Sequence, residues 1–253
     1  MEIRNDEPMS VALMLAIHCG DMDALSALLS EHPGLAAAQI RDGRGETRCS
    51  LHLAVDWPGY FPNGPAVVRL LIDAGADPNA AVTGSWHAET PLHGAASNDD
   101  VEVAAALIDG GADIEATGAS IAGGTPLDNA VAYGCWHVAR LLVERGARVE
   151  RLWHAAALGM TERVEALLAV EPPPPPEEIN DAFWQACHGG QRRMAEYLLA
   201  RGADINAVPD HNRSTPLDIA GSPDTRRGIL VSWLREQGAR CANESALAST
   251  EVG

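Results

Sequence analysis

The chain has 253 residues, with 35 acidic side chains against 18 basic ones and a formal net charge of -17. Such an excess is repelled by phosphate backbones and anionic bilayers, which argues against nucleic acid and membrane surfaces as main partners. Hydrophobic residues make up 46% of the chain but aromatics only 4%, a composition that suits thin, closely packed helices rather than a thick core.

The first residues, Met1 to Glu7, are polar and acidic, so they do not read as a signal peptide. No apolar run reaches the roughly 18 residues of a membrane span. Cys19, Cys49, Cys135, Cys187 and Cys241 are scattered and lack any CxxC spacing. They read as free thiols rather than a disulfide framework or a zinc site. The expected localisation is cytoplasmic. The pairs Arg192–Arg193 and Arg226–Arg227 read as solvated helix faces.

Two short motifs recur along the chain. Ser50-Leu51-His52-Leu53-Ala54 is a degenerate copy of the first, Thr90-Pro91-Leu92-His93 a full one, and Thr125-Pro126-Leu127-Asp128 and Thr215-Pro216-Leu217-Asp218 variants. Each opens a helix: Thr caps it, and Pro occupies the first position, where its missing N–H costs nothing. The second motif is Gly-Ala-Asp or Gly-Ala-Arg, at Gly75, Gly111, Gly146, Gly202 and Gly238. Its glycine supplies the left-handed residue that ends a helix. Amphipathic runs such as Val67–Ile72 and Val138–Val143 lie between the two. Thr90 and Thr125 are 35 residues apart, and Gly75 and Gly111 are 36 apart.

These motifs and spacings resemble the ankyrin-repeat family, whose period is about 33 residues and whose signature is T-P-L-H-x-A. The likeness covers nearly the whole chain and suggests a stand-alone protein of bacterial type. It implies an all-α solenoid of about seven helix–turn–helix units with short hairpin loops. The expected units are 10–40, 41–82, 83–117, 118–150, 151–178, 179–208 and 209–241, in one stack over 1–241, with a flexible tail at 242–253. The positions equivalent to the motif Thr are Val11, Cys49, Thr90, Thr125, Glu150, Asp181 and Thr215.

The pattern breaks in three places. A loop at Trp57–Pro65, rich in Pro, Gly and aromatics, lengthens the second unit. Removing Trp57–Phe61 is expected to leave the fold intact and impair binding. Between Thr125 and Glu150 only 25 residues remain, too few for a projecting hairpin. The run Pro172–Pro176 is expected to be extended and non-helical, a stiff spacer in place of another hairpin.

In the resembled family, partners contact the hairpins and the inner helices. Carried over position by position, the groove candidates are Asp56, Trp57, Tyr60, Trp86, His87, Glu89, Asn98, Asn129, Tyr133, His154, Gln185 and His188. Gly94 is expected to open a recess beside Asn129. His52 and His93 stand at the motif His and read as structural. Trp153 and Trp184 replace that His and are expected to pack between repeats.

Two functions compete for the groove. The leading one is a non-catalytic scaffold for a basic or neutral protein partner. The alternative is a small-molecule site or enzyme, with His154, His188, Glu89 or Asp56 in acid–base roles. The deciding feature is whether a pocket encloses at least two of the histidines. No nucleophile motif, phosphate loop or i, i+4 histidine pair occurs, so neither cofactor nor metal is expected.

Overall fold

The protein is described by a computed structural model over residues 1–222 and 227–244. Pro223 and Arg226, and the tail from 245 onward, lie outside the described residues. Among the described residues, fourteen helices pair in sequence. They fall into two compact units, residues 1–148 and residues from 149 onward.

The first unit contains α1 (Pro8–Cys19) and α2 (Met22–Glu31), α3 (Ser50–Leu53) and α4 (Gly64–Asp73), α5 (Pro91–Ser97) and α6 (Val101–Asp109), and α7 (Pro126–Ala132) and α8 (Trp136–Glu144). The recurring motif closes the start of each inner helix. Thr90 Oγ1 lies 3.0 Å from His93 Nδ1, and the Thr90 N–H donates to the same nitrogen at 3.1 Å. Asp128 does the same work at α7, where its Oδ2 accepts from the Thr125 N–H at 2.7 Å. Cys49 and His52 form the equivalent pair at α3. These bonds satisfy N–H groups that a helix start otherwise leaves unpaired.

The histidines also reach forward to the next repeat. His52 Nε2 donates to the Glu89 carbonyl at 3.0 Å, and His93 Nε2 to the Gly124 carbonyl at 3.3 Å. The expectation that both are structural is met. Outer helices end at glycines with φ of 98° at Gly75 and 95° at Gly111. Nothing lies near where a Cβ would sit at either one, so handedness rather than space selects glycine there. Leu51, Leu71, Leu92, Leu107, Leu127 and Leu142 fill the interior.

A three-stranded sheet accompanies the helices. β1 (Glu2–Arg4) runs parallel to β2 (Gln39–Arg41), with Ile3 opposite Ile40, and β2 pairs antiparallel with β3 (Thr47–Arg48). The helical periodicity of the chain gives no sign of these strands. Three residues are too few to show alternation, and the pairing comes from a hairpin edge far away in sequence.

The second unit contains α9 (Leu152–Ala157) and α10 (Thr161–Leu168), α11 (Pro176–His188) and α12 (Arg192–Leu199), and α13 (Pro216–Ala220) and α14 (Gly228–Glu236). Here the sequence reading needs correction. Pro176 is not part of an extended spacer. It opens α11 at the first position, followed by Glu177 and Glu178 in the first turn, where proline and acids are both favoured. Asp181 therefore lies inside α11 rather than before it. Residues 172–175 remain outside any helix. Gly189 permits close packing, since a Cβ there would meet the Ala157 carbonyl oxygen at 2.0 Å.

Candidate functional site

In the first unit a recess of about 430 Å³ is lined by residues from three successive repeats and the hairpins beside them. Asp56 and Trp57 follow α3, Ser97 and Asn98 end α5, Tyr133 ends α7, and Glu89 and Ser120 come from hairpins. Trp57 is 85% exposed and Tyr133 54%. Gly94 also lines the recess but does not open it as expected. A Cβ there would stand 2.6 Å from Val55 Cγ2, so the missing side chain lets α5 approach Val55.

Glu89 is the polar centre of this arrangement. Its backbone oxygen accepts from His52 Nε2 at 3.0 Å and from the Val82 N–H at 2.9 Å. Its Oε1 accepts from the Ser120 N–H at 2.7 Å and Asn129 Nδ2 at 2.9 Å. Burial pushes the carboxyl upward, but these donors outweigh it and hold the group below the usual carboxylate range. His87 Nδ1 stands 3.9 Å from Oε2. Asn129 is fully buried and also donates to Ser97 Oγ at 3.1 Å. Asn98 Nδ2 donates to the Val55 carbonyl at 2.8 Å. Asp56 is paired with Arg48 Nη1 at 2.5 Å and lies 3.6 Å from His18 Nε2.

The long loop of the second unit divides its aromatics between two roles. Phe61 stacks on His18, with centroids 4.2 Å apart and 12° between the planes. The Tyr60 N–H donates to Asp100 Oδ2 at 2.9 Å, and its hydroxyl donates to the Asp99 carbonyl, although the side chain is 65% exposed. Asn63 Nδ2 donates to the Gly20 carbonyl at 2.9 Å. Only Trp57 is left standing free. The loop is thus tied into the fold by Tyr60 and Phe61, contacts that removing Trp57–Phe61 would delete.

Trp86 and His87 sit at a second recess, of about 370 Å³, between neighbouring hairpins. Trp86 is 80% exposed and meets His87 edge to face at 5.0 Å. His154, Gln185 and His188 belong to the second unit. His154 is 2% exposed and lies edge-on to Trp153 at 4.0 Å. Gln185 is buried, with Oε1 3.3 Å from His188 Nδ1. Burial, with Arg227 nearby, pulls His188 down to about 4. The Trp184 indole donates to the Ser214 carbonyl at 2.9 Å, which packs that ring against the following hairpin.

The sequence candidates divide between the two compact units. Asp56, Trp57, Glu89, Asn98 and Tyr133 come together, with Asn129 beneath them. His154 and His188 lie in the other compact unit, and none of the recesses described holds two of the three candidate histidines. Among the described residues no group of three His, Cys, Asp or Glu side chains is arranged to hold a metal ion. No described helix is long and apolar enough to cross a membrane. Ser120 and Arg48 were missed because both lie in hairpin stretches with no motif to flag them.

Family models agree with this architecture. One described as ankyrin repeats, in three copies, matches residues 51–151, and another for a single ankyrin repeat matches 180–210. The B-cell lymphoma 3 protein homolog of Mus musculus is 29% identical over 265 residues, covering 97% of this chain and 54% of that protein. The B-cell lymphoma 3 protein of Homo sapiens is 30% identical over 261 residues, with the same coverage. The chain thus spans about half the length of these curated relatives. Both are mammalian, which gives no support to the bacterial-type qualifier. The crystal structure of the human ASB11 ankyrin repeat domain matches with a TM-score of 0.51 at 18% identity, over 88% of this chain and 96% of that one. That likeness shows the fold.

Proposed function

The chain is an ankyrin-repeat protein, and on that premise we propose that it is a non-catalytic scaffold binding a protein partner through the recess face of its first unit. The observation that carries this reading is Trp57, 85% exposed beside a recess whose polar groups are already fixed by the fold. A large exposed aromatic on a stiff support is the usual anchor of a protein interface. Tyr133, also exposed, lines the same recess. The net charge of -17 favours a basic or neutral partner over nucleic acid or an anionic membrane.

Seven helix pairs support the reading of seven repeats through residue 241. Five free cysteines fit a reducing compartment such as the cytoplasm. The alternative of acid–base chemistry on a small molecule has less to stand on, because none of the recesses holds two of the candidate histidines.

The test is selection of random displayed peptides on the immobilised protein, followed by rescreening on Trp57→Ala. The proposal expects most clones to lose at least about tenfold in affinity, the scale of an interface anchor. Clones that bind both proteins equally would refute it.

A further inference from the structure

We infer that the recess beside Trp57 is a slot for an arginine side chain of the partner. This rests on the scaffold reading above and adds the chemistry of the residue that enters.

The argument starts from which polar atoms remain unspent. Glu89 Oε1 is engaged by the Ser120 N–H and by Asn129, whereas Oε2 stands 3.9 Å from His87 Nδ1, beyond hydrogen-bond distance. Asn98 uses its Nδ2 on the Val55 carbonyl, which leaves its Oδ1 available. The recess is thus rich in acceptors. Its lining contains two carboxylates, Asp56 and Glu89, and no lysine or arginine. Arg48 already balances Asp56, so the uncompensated charge is that of Glu89.

The walls are aromatic. Trp57 and Tyr133 both line the recess and both present much of their surface to solvent. A group that fits must be cationic, rich in donors and able to lie against a ring. A guanidinium does all three: its planar face stacks on indole or phenol while its N–H fork reaches a carboxylate and an amide oxygen. A compact ammonium supplies the charge but not the flat face. The recess, at about 430 Å³, is large enough for the side chain.

The test is a titration of the ¹⁵N-labelled full chain with N-acetyl-arginine N-methylamide, followed by two-dimensional NMR. The neutral, nearly isosteric citrulline compound serves as the comparison. The Trp57 indole N–H and the amides of Ser97, Asn98 and Ser120 should shift together with the arginine probe and stay still with citrulline. Glu89→Gln keeps an oxygen for Ser120 and Asn129 while removing the charge, and should weaken binding about tenfold, as for a lost charge-assisted hydrogen bond. Glu31→Gln makes the same change in net charge on an exposed helix end and should leave binding unchanged.

Equal shifts with citrulline, equal affinities of the two variants, or no shift at these residues at the solubility limit of the probe would overturn the slot. The two readings fail separately. Displayed peptides that lose binding on Trp57→Ala yet tolerate replacement of every arginine overturn the slot and uphold the scaffold. Peptides indifferent to Trp57 overturn the scaffold at this face.

Discussion

Acid should weaken the first unit through one imidazole. His52 is 6% exposed, and its Nδ1 accepts the Cys49 N–H while its Nε2–H donates to the Glu89 carbonyl. The first bond requires the neutral ring, because a proton on Nδ1 would face the N–H it now accepts; the second survives protonation. Burial pulls the group from 6.5 down to about 4 in the folded chain, with Arg48 adding repulsion. Between those values the unfolded chain binds a proton that the folded chain refuses, so stability falls as pH falls. The contribution is fully present above about pH 6.5 and is lost progressively toward about pH 4. At about 1.4 kcal/mol per pH unit the loss is about 3 kcal/mol, a large share of the 5–15 kcal/mol that roughly holds a domain together.

The assay is urea unfolding followed by circular dichroism, comparing wild type with His52→Gln from about pH 7.5 to about pH 4. Other titrating groups cancel in the difference, as does the constant cost of the substitution. The stability gap between the two proteins should change by about 3 kcal/mol in favour of the glutamine variant on acidification. A gap that stays constant within about 0.5 kcal/mol would refute the assignment.

Four further outcomes are expected. Gly189→Ala should lower the melting temperature of the second unit, because the new methyl group meets the Ala157 carbonyl oxygen at 2.0 Å; overpacking of this kind costs about 1–3 kcal/mol. Gly228→Ala, in α14 and facing open space, should be neutral or slightly stabilising in the same thermal scan. Phe61→Ala should destabilise the first unit by about 1 kcal/mol through loss of its stack on His18, whereas Trp57→Ala should stay within about 0.5 kcal/mol of wild type in denaturant titration. Alkylation at neutral pH, read by peptide mass spectrometry, should modify the exposed Cys19 first. It should spare Cys187, Cys49 and Cys135 until denaturant is added, because burial raises all three thiols, Cys135 to about 11.

The repeated parts of the fold were legible because each motif residue has a local job that its identity betrays. Thr90 and His93 announce a capped helix start, and Gly75 and Gly111 announce a left-handed stop. What could not be read depends on contacts distant in sequence. Ile3 finds Ile40, and Tyr60 finds Asp99 and Asp100, only once the chain is folded. α11 was misplaced because aligning Asp181 with the motif Thr overrode a better local signal, the Pro-Glu-Glu at 176–178 that starts the helix. The candidate site was half visible. Trp57, Glu89 and Tyr133 fell on positions the repeat marks as contacts. His154 and His188 fell on equivalent positions but lie in the other compact unit, where His154 is buried, and a repeat alignment carries no measure of burial.

The anchoring of Glu89 has a kinetic consequence. Its backbone oxygen is held by Val82 and His52, and its carboxylate by Ser120 and Asn129. The ordering of this acid is completed when the chain folds, so in the proposed slot a partner would meet it already aimed, with little freedom left to lose at that point in docking. Substitutions among its four supports should therefore act mainly on how fast a complex forms and how much entropy it costs, even where none of them touches the partner.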